Sequence, residues 1–440
     1  MSSQQKVAFI GLGAMGYPMA GHLQRNGFDV CVYNRTEAKA FAWVDEFGGT
    51  SAPTPAEAAV DASVVFLCVG NDSDVRAVAS DSEGVLSTMT QGATLVDHTT
   101  TSRELAVELD TACDAIGVQF LDAPVSGGQA GAENGVLTVM VGGKQAHFDC
   151  VEPIMRSFAK HVQLMGDVGS GQTTKMVNQL AIAGILGGLS EALHFAECAG
   201  LDIDEVTKAI QGGAAQSWQM NNRASTMAKR EYDFGFAIDW MRKDLGFALD
   251  VAERLGLHLP IATMVDAQYA NVQENGGGRW DTSGLIEQIR IRGEKVAASK
   301  DAPRVTHAGG CHCGRVEWTV EAPAVLDTHT CNCSICDINH YQHLLVPESR
   351  FSLTKGQDSL SLYTFGSGLA KHYFCKQCGV KSFYVPRSNP DGVSVNARCI
   401  KPETIEAVYD KPFDGRNWEK NAGSLAHLSK VNDYAIRIRQ

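Results

Sequence analysis

No apolar run in this sequence reads as a membrane span; the longest hydrophobic stretches are short and broken by Gly, Asp or His. The opening Met1-Ser2-Ser3-Gln4-Gln5-Lys6 lacks the apolar core of a secretion signal and leads directly into a strand pattern. A cytoplasmic protein without a membrane partner is therefore expected. Positive charge is also scarce. Residues 1–300 hold 22 Lys and Arg against 36 Asp and Glu, or −14, and residues 301–440 hold 16 against 14, or +2, together the −12 of the whole chain. Neither part offers a basic face for nucleic acid. Internal repeats are lacking too. With 44% hydrophobic and 20% charged residues, disorder, collagen and coiled coil are excluded as descriptions of the whole. What remains is a globular chain whose 440 residues call for two to four domains.

Cysteine is scarce in one part and dense in the other. Five of the 13 are scattered through the first 300 residues, and eight lie in the last 140. Seven of those eight form closely spaced pairs or triplets, which in a cytoplasmic chain favours metal over disulfide.

The order of patterns predicts the architecture. Lys6–Ile10, Asp29–Tyr33, Ala62–Val69, Thr94–Val96 and Gln119–Leu121 read as apolar strands separated by helical patterns, which implies an α/β domain with a parallel, doubly wound sheet over 1–165. Residues 166–295 carry long helical patterns, led by the apolar stretch Met176–His194, and predict an all-helical domain for substrate and dimerisation. A small, polar stretch containing Pro303 marks a linker over 296–306. Short alternating strands between cysteines predict a small, zinc-stapled, mainly-β domain over 307–440.

Gly11-Leu12-Gly13-Ala14-Met15-Gly16 follows the first strand and opens a helix, the context a dinucleotide-binding turn requires. Gly11 makes the turn, Gly13 lets the backbone approach a pyrophosphate, and Gly16 permits close helix packing. The second strand ends in Asn34-Arg35-Thr36 rather than in the carboxylate that binds a ribose 2′-hydroxyl. Arg35 can pair a 2′-phosphate and no carboxylate is expected to oppose it, so NADP(H) is favoured over NAD(H) for this Rossmann domain.

Residues 1–295 resemble the β-hydroxyacid dehydrogenase family, which includes 3-hydroxyisobutyrate dehydrogenase and tartronate semialdehyde reductase. The resemblance rests on four motifs in order: the glycine turn continuing into Tyr17-Pro18-Met19-Ala20, Asp122-Ala123-Pro124-Val125-Ser126-Gly127-Gly128, Gly169-x-Gly171-x-x-x-Lys175-x-x-Asn178, and Lys243-Asp244-Leu245. It implies Lys175 as the catalytic lysine, with Ser126, Gly127, Gly128 and Asn178 holding the substrate. Val69, Thr99, Thr100 and Lys243 are implied to lie near the cofactor. Carbonyl reduction needs a proton for the developing alkoxide, and a desolvated lysine can supply it. His98 and His194 are expected to be structural, and a homodimer or homotetramer is implied.

The last region carries Cys311-His312-Cys313, Cys331-Asn332-Cys333-Ser334-Ile335-Cys336 and Cys375-Lys376-Gln377-Cys378. A C-x-C pair with a distant C-x-x-C can close a tetrahedral zinc, whereas the separate triplet leaves a coordination position open unless His340, His343 or another group fills it. This region resembles the glutathione-dependent formaldehyde-activating enzyme family and its centromere-protein-like branch. The likeness implies structural zinc on Cys311, Cys313, Cys375 and Cys378. It implies a second zinc on Cys331, Cys333 and Cys336, with glutathione as candidate ligand and carbon–sulfur lyase chemistry as a candidate activity. Cys399 is expected to be buried. The whole reads as a reductase of a small aldehyde or 2-oxo acid; an imine reductase-like enzyme and a non-catalytic scaffold remain as alternatives.

Overall fold

The computed structural model describes residues 4–291 and 302–430. The chain divides into two compact units, Met1–Ile289 and Arg290–Gln440.

The first unit is built on a nine-stranded sheet: β1 (Lys6–Ile10), β2 (Asp29–Tyr33), β3 (Thr50–Ser51), β4 (Val64–Leu67), β5 (Thr94–Asp97), β6 (Gln119–Asp122), β7 (Val125–Ser126), β8 (Leu137–Gly143) and β9 (Ala159–Gly166). Its order is β3-β2-β1-β4-β5-β6-β8-β7, with β9 against β8, and β1 to β6 are parallel. Alternate residues serve opposite faces, as the strand repeat of two dictates. Phe9, Val32, Phe66 and Val96 pack on one side, and Ile10, Cys31, Leu67 and Leu95 on the other. Both faces are covered, which is why these strands are continuously apolar rather than alternating. The strand order reverses between β1 and β4, the place where such sheets open a ligand crevice at their carboxyl ends.

Beyond β9 the chain turns helical. Helix Ser170–Cys198 buries Lys175, Met176, Gln179, Ala183, Leu186, Leu189 and Leu193, a stripe at helical period. Ala183 and Leu186 pack with Met241 and Leu245 of helix Ile238–Arg254 and with Val265 and Tyr269 of helix Pro260–Glu274. Helices Ile203–Ile210 and Trp218–Lys229, which no sequence pattern had singled out, cover the far end through Met220 and Met227. Helix Ser170–Cys198 also qualifies the expectation about membranes: 29 residues long and with an 18-residue window of mean hydropathy 1.3, it is long and apolar enough to span one by length and composition. It packs against β8 and the two helices above, with 39% of that window buried.

The sheet and the helices of the first 289 residues close into a single compact unit. The expected linker is described only in part. Residues 296–301 lie outside the described residues, while Arg304–Thr306 already belong to strand β10 (Arg304–Gly310), where they pair with Glu321–Pro323.

The second unit is mainly β. A three-stranded antiparallel sheet has the order β10-β11-β14, with β11 at Glu317–Pro323 and β14 at Phe351–Lys355. A seven-stranded sheet has the order β15-β16-β17-β18-β13-β12-β19. Its strands are β12 (Val325–Cys331), β13 (Gln342–Pro347), β15 (Leu360–Tyr363), β16 (Lys371–Cys375), β17 (Phe383–Val385), β18 (Gly392–Asn396) and β19 (Ala407–Phe413). Two cores result. Trp318, Val320, Leu344, Val393 and Val395 form one, which includes Cys311 and Cys375. Tyr341, Tyr384, Phe413 and Leu425 form the other, which includes Cys331 and Cys336.

Candidate active site and metal centres

The glycine turn is held by its neighbours. Gly11 adopts φ of +100°, donates its N–H to Tyr33 O at 2.8 Å, and a Cβ there would stand 2.3 Å from Cys68 O. A Cβ on Gly16 would meet Gly11 O at 2.0 Å, whereas one on Gly13 would meet nothing within 4 Å. The backbone is therefore closed at Gly11 and Gly16 and open at Gly13, a cradle that fits a pyrophosphate. Asn34 Oδ1 accepts from Leu12 N at 3.0 Å and ties the turn to the end of β2.

A cleft of about 1730 Å³ opens here. It is lined by all the expected cofactor and substrate positions of this unit except Leu12, which faces a smaller neighbouring hollow, and Gly16, which is buried beneath the turn. Arg35 reaches its rim, with a side chain 89% exposed. Its acidic partner is Asp74, at 3.6 Å from helix Asp72–Ser80, so a carboxylate distant in sequence does oppose it. Lys39 lines the same cleft and was missed in the sequence; as one residue of an exposed helix it carries no local signal.

Lys175 is 7% exposed and also faces the cleft. Its helix is fixed at the N-terminus by Asp122, whose Oδ1 accepts from Gly169 N at 2.7 Å and whose Oδ2 accepts from Gln172 N at 2.8 Å. Gln172 in turn bridges the loop after β5, donating to Thr99 O at 2.7 Å and accepting from Thr101 N at 3.0 Å. One helical turn beyond Lys175, Asn178 lies 3.5 Å from Ser126 Oγ, a contact long enough to leave the hydroxyl available to a substrate. Asn178 donates to Gln179 Oε1 at 2.8 Å, and Gln179 donates to Asp244 Oδ2 at 2.6 Å.

Lys243 is tied to the protein itself. Its Nζ donates to Thr100 O at 2.5 Å and Gly70 O at 3.1 Å and lies 3.3 Å from Asp244 Oδ1. It joins helix Ile238–Arg254 to the loops after β4 and β5. Burial lowers the Lys175 pKa below its ordinary value; the Asp244 charge opposes the shift and the Lys243 charge adds to it. Burial raises Asp244, against the pull of Lys243 and Lys175. His98 is buried and driven down to about 4 by burial, with Nδ1 2.6 Å from Ala123 O and its ring stacked on Phe66. His194 pairs with Glu197 at 3.2 Å on its own helix.

In the second unit, the Sγ atoms of Cys311, Cys313, Cys375 and Cys378 lie within 4.8 Å of one another, as do those of Cys331, Cys333 and Cys336. A tetrahedral zinc with Zn–S bonds of about 2.3 Å sets its sulfurs about 3.8 Å apart. The separations of 3.6 Å for Cys311–Cys313 and Cys313–Cys375 fit that ion. The triplet gathers no fourth His, Cys, Asp or Glu among the described residues. His340 is exposed, and His343 is buried with Nδ1 3.1 Å from Ser394 Oγ. Hydrogen bonds from Cys331 and Cys336 pull the Cys333 thiol far below its ordinary range. Cys399 is partly buried beside the first core rather than fully enclosed.

Residues 6–166 match the NAD binding domain of 6-phosphogluconate dehydrogenase, residues 169–289 the NAD-binding domain of NADP-dependent 3-hydroxyisobutyrate dehydrogenase, and residues 306–410 the glutathione-dependent formaldehyde-activating enzyme. The fold and cleft thus define an NAD(P)-dependent oxidoreductase acting on CH–OH groups. An uncharacterized oxidoreductase of Shewanella frigidimarina is 58% identical over 284 residues, 64% of this chain and 98% of that one. The 2-hydroxy-3-oxopropionate reductase of Escherichia coli is 34% identical over 286 residues, 65% of this chain and 97% of that one. The crystal structure of 3-hydroxyisobutyrate dehydrogenase from Salmonella typhimurium superposes with a TM-score of 0.60 at 30% identity, covering 64% of this chain and 99% of that one. The chain belongs to the 3-hydroxyisobutyrate dehydrogenase type of β-hydroxyacid dehydrogenases and carries in addition a C-terminal domain of the glutathione-dependent formaldehyde-activating type.

Proposed function

We propose that this protein uses NADPH to reduce a small aldehyde, or a 2-oxo or semialdehyde carboxylate, to the hydroxyacid. The observation that carries this reading is a lysine, Lys175, buried at the cleft beside Ser126, Gly127 and Asn178. NADPH, when bound, supplies the hydride for the carbonyl carbon. The chain supplies the proton: the Lys175 ammonium donates to the developing alkoxide, and in the reverse direction the amine accepts from the hydroxyl. The Asp244 charge opposes the downward pull of burial on the Lys175 ammonium. The Ser126 hydroxyl and the Gly127 and Gly128 amides offer donors suited to a carboxylate. The name of the Escherichia coli relative, a 2-hydroxy-3-oxopropionate reductase, supports an aldehyde that carries one.

Arg35 and Lys39 at the cleft support NADP(H), because both can meet a 2′-phosphate and β2 ends without an acid. The cysteine clusters support two zinc ions per chain, one closed and one open to a ligand such as glutathione. Exposed Val177, Ile185 and Phe195 on helix Ser170–Cys198, with Ile261 and Met264 on helix Pro260–Glu274, support burial against a second copy in a dimer or tetramer. Thirteen unpaired cysteines accord with a cytoplasmic setting. NADPH oxidation across a panel of small aldehydes, 2-oxo acids and semialdehydes, with NADH run in parallel, tests the reading; turnover of none of them would contradict it.

A further inference from the structure

The sheet face that carries the three-cysteine cluster also buries a lysine that the protein leaves unsatisfied. Lys381 is 3% exposed, and its Nζ has no hydrogen-bond partner among the described residues. It lies over the rings of Tyr341 at 4.5 Å and Tyr384 at 4.2 Å. Two ring faces soften the burial of an ammonium but do not match its three N–H donors. A buried ammonium is held by anions, and the sulfurs whose charge acts on this one are those of Cys336, Cys333 and Cys331, two of which share a core with Tyr341 and Tyr384. Cross-strand register places His372 opposite Tyr384 and Tyr384 opposite Ser394, so their side chains share this face. The imidazoles of His343 and His372 also hold unpartnered nitrogens and are kept neutral by burial and by Lys381. Lys381 is the buried cation of this face among the described residues, whereas Arg416, which donates to Asn332 O within the triplet, is exposed.

We propose that Lys381 receives an exogenous thiolate at the open side of the three-cysteine centre. The proposal rests on the reading that Cys331, Cys333 and Cys336 hold a divalent metal. A divalent ion with three thiolates carries one net negative charge, and a fourth thiolate raises that to two. The four-cysteine centre reaches the same charge beside water, since Cys313 is exposed and Cys378 half-buried. The triplet is more enclosed, with Cys331 and Cys336 both buried. There an adjacent ammonium offsets one charge and can donate an N–H to the incoming sulfur. On binding, the S–H proton leaves to solvent and the sulfur lone pair takes the open position; nothing is oxidised or reduced.

The full-length protein, with cobalt(II) in place of zinc, is titrated with 2-mercaptoethanol at fixed pH while the visible cobalt bands and the metal content are followed. The proposal expects two cobalt ions per chain, one of which responds to the thiol. Lys381→Met should keep both ions and bind the thiol about tenfold or more weakly, with Lys381→Arg close to the original. Lys381→Gln repeats the test with a polar side chain should the Met variant not fold. Undiminished thiol affinity in Met or Gln overturns the proposal, as does loss of the second cobalt from a folded variant, which would assign Lys381 to the thiolates alone. Two ions with no thiol response overturn it while leaving the metal reading in place. One ion per chain overturns both.

Discussion

In the first unit the groups that meet in the cleft come from distant parts of the chain: Lys243 bonds to Gly70, 173 residues away, and Asp122 caps the helix of Lys175 from 47 residues before it. In the second unit the three-cysteine cluster comes from six consecutive residues, and the four-cysteine cluster from two short spacings at the ends of β10 and β16. A site assembled by tertiary packing needs the whole core to hold it and tolerates loss of one side chain without loss of fold. A site assembled by short spacings can itself be the staple. The difference teaches where a substitution should be read, in activity for the first unit and in folding for the second.

The largest expected effect comes from breaking the four-cysteine cluster, proposed above as a closed zinc site. Cys375→Ser removes a buried sulfur of the four-cysteine cluster, and structural zinc is worth roughly 10–16 kcal/mol in small zinc domains, comparable to a whole domain's stability of about 5–15 kcal/mol. The second unit should unfold, seen by proteolysis, while NADPH turnover in the first survives. Cys333→Ser should leave the fold intact and cost the second metal. Equal unfolding from both substitutions would erase the distinction between the clusters.

Gly415 sharpens the same point from the outside. A Cβ there would stand 2.3 Å from Cys331 Sγ and 3.0 Å from Cys333 Cβ. Gly415→Ala should therefore lower metal content from about two ions per chain toward one with the four-cysteine site untouched.

In the first unit, Arg35→Asp should move preference from NADPH toward NADH by about tenfold or more, the scale of a lost charge-assisted hydrogen bond. Asp74, already 3.6 Å from Arg35, would then face a second carboxylate, which deepens the loss of the phosphate site. Equal Kd values for NADPH in original and variant would contradict the assignment. A smaller effect concerns pH. Because burial lowers the Lys175 pKa, the rate of reduction should fall as pH rises through a value below 10.5, and the rate of oxidation should rise over the same interval.

The glycine turn, the parallel strands and the long helix were legible because each is a local pattern: a strand followed at once by Gly11, apolar runs, and a stripe of period 3.6. Helices Ile203–Ile210 and Trp218–Lys229 were not, since their sequences are short or polar and only packing against Leu189 and Leu193 makes them part of a core. Asp74 opposite Arg35 and Gln172 clamped to Thr99 and Thr101 are products of crossovers, invisible to spacing. The cysteine triplet stood out in the sequence, but Lys381 did not, because a lysine between Val380 and Ser382 gains its meaning only from burial beside Tyr341 and Tyr384.

Lys175 is the proton donor of the proposed reduction, and the most direct measurement compares Lys175→Ala with the original protein in both semialdehyde turnover and NADPH binding. A fall in kcat of about 100-fold or more with NADPH Kd unchanged is the predicted result. Unchanged turnover, or an equal loss in cofactor binding, would contradict it.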